Sequence, residues 1–172
     1  MRDDLRDDPS DDASPQRTLL ATRREYLDGV ERLLGLARRE LRVFDPDLAD
    51  LGLNAEPKIA RLRAFLAASR THRLYVAVHG TDFVTRHCPR VLALLGSFPG
   101  QMFIHQTVGE ALKAQDCFVI ADDRHLVRRS VAAQPRGILV LDDPKDCSSI
   151  RDRFQEIWES SEATVSPNVT GL

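Results

Sequence analysis

Short apolar runs alternate with amphipathic helical stretches along most of this chain, and this alternation restricts the fold more than any other feature. The runs are short and rich in Val, Ile and Leu, as strands covered on both faces require. They span residues 41–45, 74–78, 102–106, 117–121, 126–131 and 138–141. The order strand–helix–strand–helix–strand, followed by a hairpin, a strand and a helix, predicts one α/β domain. We expect a mixed, mostly parallel sheet with helices on both faces.

Capping and proline signals predict where the helices begin. Thr22 and Glu25 have the spacing of a capping box, in which each side chain accepts a hydrogen bond from an otherwise unpaired N–H. Pro57 suits the first turn of the next helix, and Pro89 predicts a kink or the start of a further helix. Asp143, directly before a proline, predicts the start of the last helix.

Composition changes at both ends of the 172-residue chain. Residues 1–16 contain six Asp and two Arg with almost nothing apolar, which predicts a disordered acidic tail. Residues 17–160 hold the periodic segments and form the predicted α/β domain, while the polar residues 161–172 predict a flexible C-terminal tail. A domain of this size buries enough surface to fold without metal or disulfide staples.

Charge and cysteine content exclude several classes of protein. The formal net charge is −2, which argues against a protein dominated by sequence-independent DNA binding. No apolar stretch approaches the 18 residues of a membrane span, and the N-terminus lacks the apolar core of a secretory signal. Three cysteines without paired spacing are typical of the reducing cytoplasm. We therefore expect a cytoplasmic protein that makes no membrane contact.

The common motifs of cofactor and metal chemistry are missing from the sequence. It contains no GxGxxG, no GxxxxGK[ST], no HExxH and no GxSxG, so we expect no cofactor and no metal site. His87 and Cys88 are adjacent, and neighbouring positions on a helix diverge by about 100°, which favours a structural role for this pair. Arginine pairs such as 38–39 and 128–129 lie on different elements, and we attribute them to a compositional bias.

Four polar residues near strand ends form a candidate binding site. Open α/β sheets bind ligands at the carboxyl ends of their strands. Asp45 and His79 end two predicted strands, Asp122 follows another in a hairpin turn, and His105 lies on the third strand. Each also has a structural explanation, as a turn, strand-end or sheet residue.

The segment that starts at Gln115 resembles the C-terminal part of phospholipase D superfamily domains. There, a His-x-Lys strand is followed after four residues by Asp, and then by Gly-Ser-x-Asn. Gln115, Cys117 and Asp122 stand at the His, Lys and Asp positions. The terminal helix of the superfamily also has its counterpart, in Phe154 and Trp158. The resemblance implies that this domain is one phospholipase D-like unit.

The second motif is equally altered. Arg129 stands at the Gly position, Ser130 at Ser and Ala132 at Asn. In the superfamily, His attacks a phosphodiester while Lys and Asn hold the phosphate oxygens. Gln115 offers no comparable nucleophile and Cys117 no fixed positive charge. The resemblance therefore implies a domain without catalytic residues, which is not an enzyme.

The pattern also resembles an uncharacterised proteobacterial family of non-catalytic phospholipase D-like domains. In that family the unit stands alone or follows an acetyltransferase domain, which makes an acetyltransferase a possible partner. Phospholipase D-like units characteristically pair, and we expect a homodimer.

Three functions follow from these observations. We favour a non-catalytic module for protein interaction or for binding a regulatory ligand. The alternatives are a domain that binds nucleic acid or a phosphate ligand without hydrolysis, and a phosphodiesterase that uses Cys117 as its nucleophile.

Overall fold

The computed structural model describes residues 14–167. The strands of this part are β1 (Gln16–Leu20), β2 (Glu40–Asp45), β3 (Arg73–Val78), β4 (Met102–Thr107), β5 (Cys117–Ala121), β6 (His125–Arg129), β7 (Gly137–Leu141) and β8 (Ser161–Glu162). Its α-helices are α1 (Arg23–Leu36), α2 (Glu56–Ala68), α3 (Asp82–His87), α4 (Pro89–Ser97) and α5 (Pro144–Glu159), and a 3-10 helix covers Gly109–Lys113.

All eight strands join one mixed sheet in the order β1-β7-β6-β5-β2-β3-β4-β8. The predicted α/β class is confirmed, but the expectation of mostly parallel pairing is corrected. The β2–β3 and β3–β4 pairs are parallel, and the other pairs are antiparallel. The physical reason is the length of the connections, because the short links from β5 to β6 and from β6 to β7 leave no room for a helical crossover.

Local signals in the sequence set the element boundaries as expected. Thr22 and Glu25 form the predicted capping box at the start of α1. Pro89 begins a separate helix, α4. The predicted hairpin is also confirmed, since Asp122 and Asp123 both have φ near 55°. These are the central residues of a turn closed by the hydrogen bond from the Arg124 N–H to the Ala121 carbonyl oxygen, and Ala121 pairs with His125 across the three-residue loop.

Helices cover both faces of the sheet, as predicted. On β5, Val119 and Ala121 belong to the larger core, which also contains residues of α1, α2, α3 and α4. Phe118 and Ile120 point to the opposite face, where they share a smaller core with Phe154 of α5. The central strands are therefore buried on both sides, and a polar residue there needs a partner or a ligand.

Both ends of the described chain add a strand at an edge of the sheet. Gln16, which composition assigns to the N-terminal tail, lies in β1 and pairs with Leu141. Ser161, which composition assigns to the C-terminal tail, pairs with Thr107 in β8. The rest of the predicted tails, residues 1–13 and 168–172, lies outside the described residues.

A buried ion cluster joins the start of β5 to β6 and α5. Asp116 is 3% exposed. Arg153 donates two hydrogen bonds to its carboxylate, at 2.7 and 2.8 Å, and Arg128 donates two more, at 3.0 and 3.3 Å. Burial opposes ionisation of this carboxyl, but the two arginines outweigh burial and hold its pKa below the ordinary value. The cluster fixes the backbone between Gln115 and Cys117.

We expect Asp116→Asn to lower the free energy of unfolding by about 2–3 kcal/mol, because it leaves two arginines facing a neutral amide. Urea denaturation measures the loss. Asp152→Asn is the matched control, since it removes the same charge from an exposed pair with Arg151 and should change stability by less than about 0.5 kcal/mol. Equal effects of the two substitutions would show that the cluster contributes no more than a surface pair.

Candidate functional site

A cavity of about 460 Å³ opens where β2 and β3 end and β5 begins. The loop after β2 and the segment after β6 form its rim. Its lining includes Asp45, Asp47, His79, Cys117, Arg129 and Ala132.

Arg129 is the unusual residue of this cavity. It is only 4% exposed, and its guanidinium carbon lies 4.2 Å from the ring centroid of Tyr26 on α1. The Nε and Nη2 atoms are buried and have no hydrogen-bond partner within residues 14–167. A buried cation without an anionic partner is costly, and stacking on one aromatic ring recovers only part of that cost. A residue of the cavity lining therefore carries strong donors that no part of the described protein uses.

Asp45 is a buried carboxylate at the end of β2, 4% exposed. Its Oδ1 accepts hydrogen bonds from the backbone N–H of Leu48 at 2.7 Å and of Asp47 at 3.1 Å. Burial raises the pKa of this carboxyl to about 6, although the two backbone hydrogen bonds oppose the shift. Near neutral pH the cavity thus holds a poorly solvated negative charge.

Cys117 lies between these two charged residues. It pairs with Arg129 in the β5–β6 ladder, and the neighbouring pair of Phe44 with Phe118 places Asp45 on its other side. The hydroxyl of Tyr26 lies 3.5 Å from its Sγ. Burial raises the pKa of the thiol to about 11, so the sulfur is protonated near neutral pH. A protonated thiol is a poor nucleophile.

His79 lies in the cavity wall, but the protein uses both of its ring nitrogens. Nε2 donates to the carbonyl oxygen of Ala114 at 2.7 Å. Nδ1 lies 2.6 Å from the hydroxyl oxygen of Thr107 and accepts a hydrogen bond from this hydroxyl when the ring is neutral. The ring therefore fixes the segment before β5 and has no nitrogen available for a ligand.

The structure brings Asp45 and His79 together but places the other two sequence candidates elsewhere. His105 stacks on Trp158 with ring centroids 3.8 Å apart, on the face of the sheet that α5 covers. Asp122 lies at the opposite end of the sheet, because β5 runs antiparallel to β2. Its carboxylate accepts hydrogen bonds from the backbone N–H of Arg38, Arg39 and Glu40 at 2.8 to 3.0 Å.

Three of the positions that the phospholipase D resemblance singles out converge at the cavity, whereas Asp122 lies at the other end of the sheet. Gln115, Cys117 and Ala132 all line it, and the backbone N–H of Ala132 donates to the carbonyl oxygen of Gln115 at 2.7 Å. The side chains present at these positions are an exposed amide, a protonated thiol and a methyl group.

Sequence reasoning did not single out Arg129 as a candidate site residue, nor Tyr26 as the ring on which its guanidinium stacks. A signal was present, because Arg128 and Arg129 are consecutive in a strand that apolar neighbours predict to be central. Consecutive strand residues point to opposite faces, so one arginine had to enter each core. Arg128 finds Asp116, while the face of Arg129 offers no carboxylate within 4 Å among residues 14–167.

Metal-ligand clusters and membrane-spanning helices are both absent from the part of the chain that the structure describes. No group of three His, Cys, Asp or Glu side chains in residues 14–167 could hold a metal ion. In the same range, no helix is long and apolar enough to cross a membrane.

Solved structures with the same arrangement of elements define the class of fold. Nuc from Salmonella typhimurium, a phospholipase D family member, superposes with a TM-score of 0.58 at 12% identity, covering 89% of this chain and 100% of that chain. NucT from Helicobacter pylori gives a TM-score of 0.57 at 14% identity, covering 87% and 99%. The archaeal chromatin protein TrmBL2, whose structure shows a novel mode of DNA binding, gives 0.64 at 12% identity, covering 87% and 54%. The chain therefore has a phospholipase D-like fold.

The particular family follows from the sequence. Residues 22–167 match the family described as Domain of unknown function (DUF7931), and the chain belongs to this family. No curated protein matches the chain in sequence. The chain spans about half the length of TrmBL2.

The buried Asp45 carboxyl predicts a stability difference that depends on pH. Its pKa is raised on folding, so the native state binds this proton more tightly than the unfolded state. The contribution of the carboxyl to stability is greatest below about pH 4 and falls as pH rises to about 6. Asp45→Asn keeps an acceptor oxygen and removes the charge. We expect the variant to be about 2–3 kcal/mol more stable than the parent at pH 8, and equally stable near pH 4.

Urea denaturation at the two pH values measures this difference. Asp152→Asn, a substitution at an exposed residue, should have the same free energy of unfolding as the parent at both pH values. A difference between Asp45→Asn and the parent that stays constant with pH would show that Asp45 is not a poorly solvated charge.

Proposed function

We propose that this chain is a non-catalytic ligand-binding module in which Arg129 binds an oxyanion group of a small molecule. The observation that carries the proposal is a buried arginine in the cavity lining, Arg129, whose Nε and Nη2 have no hydrogen-bond partner among residues 14–167. A guanidinium presents its N–H groups in a planar fork that matches the two oxygens of a carboxylate or of a phosphate. Stacking on Tyr26 holds that fork in place before a ligand arrives.

The chemistry of the cavity supports binding without turnover. The nucleophile position of the superfamily is Gln115, and the phosphate-holding positions are Cys117 and Ala132. The Cys117 thiol is protonated near neutral pH, because burial raises its pKa to about 11. The only histidine of the lining, His79, has both nitrogens in hydrogen bonds to the protein. None of these groups is prepared to attack phosphorus.

Nucleic-acid binding is the second candidate, because the archaeal chromatin protein TrmBL2 shares the fold. The arrangement of charge favours the small ligand instead. Asp45, Asp47 and Asp50 line the same cavity as Arg129 and would repel a polyanionic backbone. The exposed Arg38 and Arg39 lie at the other end of the sheet. If the second candidate holds, the parent protein raises the fluorescence anisotropy of a labelled oligonucleotide. Neutralising these two arginines would then abolish that rise.

Binding to Arg129 is tested by calorimetry with inorganic phosphate, methyl phosphate and a set of small carboxylic acids that includes amino acids. We expect Arg129→Gln to weaken the compounds that bind by at least about tenfold, because it removes a charged donor pair. Arg63→Gln is the matched control, since Arg63 is exposed on α2 and lies outside the cavity.

Two results would contradict the proposal: unchanged affinity in Arg129→Gln, or no binding of any compound by the parent. Thermal melting separates binding from folding. We expect Arg129→Gln to melt no lower than the parent, since it removes an unpaired buried charge.

We also expect no hydrolysis of bis-p-nitrophenyl phosphate, phospholipid or nucleic acid by the purified protein. The physical reason is the lack of a prepared nucleophile in the cavity. Product release is followed by absorbance and by chromatography. Turnover that persists through repurification and disappears in Cys117→Ser would instead support the phosphodiesterase alternative.

A further inference from the structure

We infer that the ligand of this cavity carries an ammonium group in addition to its oxyanion, so that it bridges Asp45 and Arg129. The inference rests on the proposed function and adds the class of ligand. It depends on the charges of the cavity and on the way the sheet separates them.

Carboxylates form one wall of the cavity. Asp45, Asp47 and Asp50 come from the end of β2 and the loop that follows it. Asp50 pairs with Arg23 at 3.0 Å and is partly neutralised. Asp47 accepts the backbone N–H of Ala49 at 2.9 Å. Asp45 is the most deeply buried of the three, so solvent screens its charge least.

A single cation faces this wall. Arg129 is the only Lys or Arg among the lining residues, and even with Arg23 counted the carboxylates are in excess. A simple anion would therefore gain a contact with Arg129 and be repelled by the two carboxylates that no cation of the described residues neutralises, those of Asp45 and Asp47. A ligand with a positive group gains at both ends, because its ammonium group replaces the water that Asp45 loses on burial.

The sheet keeps the two charges apart. Arg129 on β6 and Asp45 on β2 lie on either side of Cys117 on β5. Adjacent strands are about 4.8 Å apart, so the two backbone positions are separated by about 10 Å. No ion pair within 4.0 Å joins Asp45 to Arg129. The hydrogen bonds that Asp45 accepts from the described residues all fall on Oδ1, which leaves Oδ2 for the ligand.

Compounds that differ only at one end test the inference. ω-Amino acids from glycine to 6-aminohexanoate cover the possible separations, and each is compared with the carboxylic acid in which a methyl group replaces the ammonium group. The same comparison is made for 2-aminoethyl phosphate and propyl phosphate, so that a carboxylate and a phosphate are distinguished. Affinities are measured by calorimetry at pH 7.5 with the full chain.

We expect at least one amine-bearing compound to bind about tenfold more tightly than its amine-free partner. In Asp45→Asn this preference should fall to about onefold, and the amine-free compound should bind at least as tightly as it binds the parent, because the variant removes a negative charge that opposes the anion. Arg129→Gln should weaken both compounds of the pair. Asp152→Asn, which removes an exposed carboxylate from α5, should leave the preference unchanged.

The outcomes separate this inference from the proposed function. Oxyanions that bind through Arg129 without any preference for an amine would overturn the inference and leave the proposed function standing. A preference that survives Asp45→Asn would also overturn it. If no compound binds, or if Arg129→Gln changes nothing, both fail.

Discussion

Strand β5 runs antiparallel to β2 at the centre of the sheet, and the positions of both candidate charges depend on this pairing. Because β6 returns beside β5, residues Asp45, Cys117 and Arg129 form a row across three strands at one end of the sheet. The same antiparallel pairing carries Asp122 to the other end, where its carboxylate fixes the start of β2. The cavity is therefore a product of strand direction, and no single loop creates it.

The fold treats its buried charges in two different ways. Asp116 is matched by two arginines on the α5 face, and we expect the loss of its charge to destabilise the fold. Arg129 and Asp45 lie on the opposite face without such partners, and each lowers stability as long as it stays ionised and unbound. Unmatched buried groups of this kind are typical of functional sites, where stability is sacrificed for recognition. The contrast between neighbouring arginines on β6 distinguishes the face on which the charge is matched from the face that we propose as the binding site.

Features that depend on neighbouring residues could be predicted from the sequence, whereas long-range features could not. The capping box at Thr22, the helix break at Pro89 and the hairpin turn at Asp122 follow from local backbone preferences. Strand β1 has one buried residue, Leu20, and so shows no alternation to detect. The direction of β5 depends on pairing across the sheet, and without it Asp122 was grouped with Asp45. Burial of both Arg128 and Arg129 could be predicted from the strand pattern, but which of them finds a carboxylate depends on the same long-range information.

The acidic rim has a consequence for the rate at which a ligand arrives. Among the lining residues, Asp50 is exposed and Asp47 half-buried, whereas Arg129 is buried. An approaching anion meets negative potential before it reaches the guanidinium, so long-range attraction does not accelerate its encounter with the site. Association of an anion is then slower than for an electrostatically steered ligand, and it becomes faster as salt screens the repulsion. For the proposed module, the same negative potential would disfavour polyanions more strongly than a small ligand that carries an ammonium group.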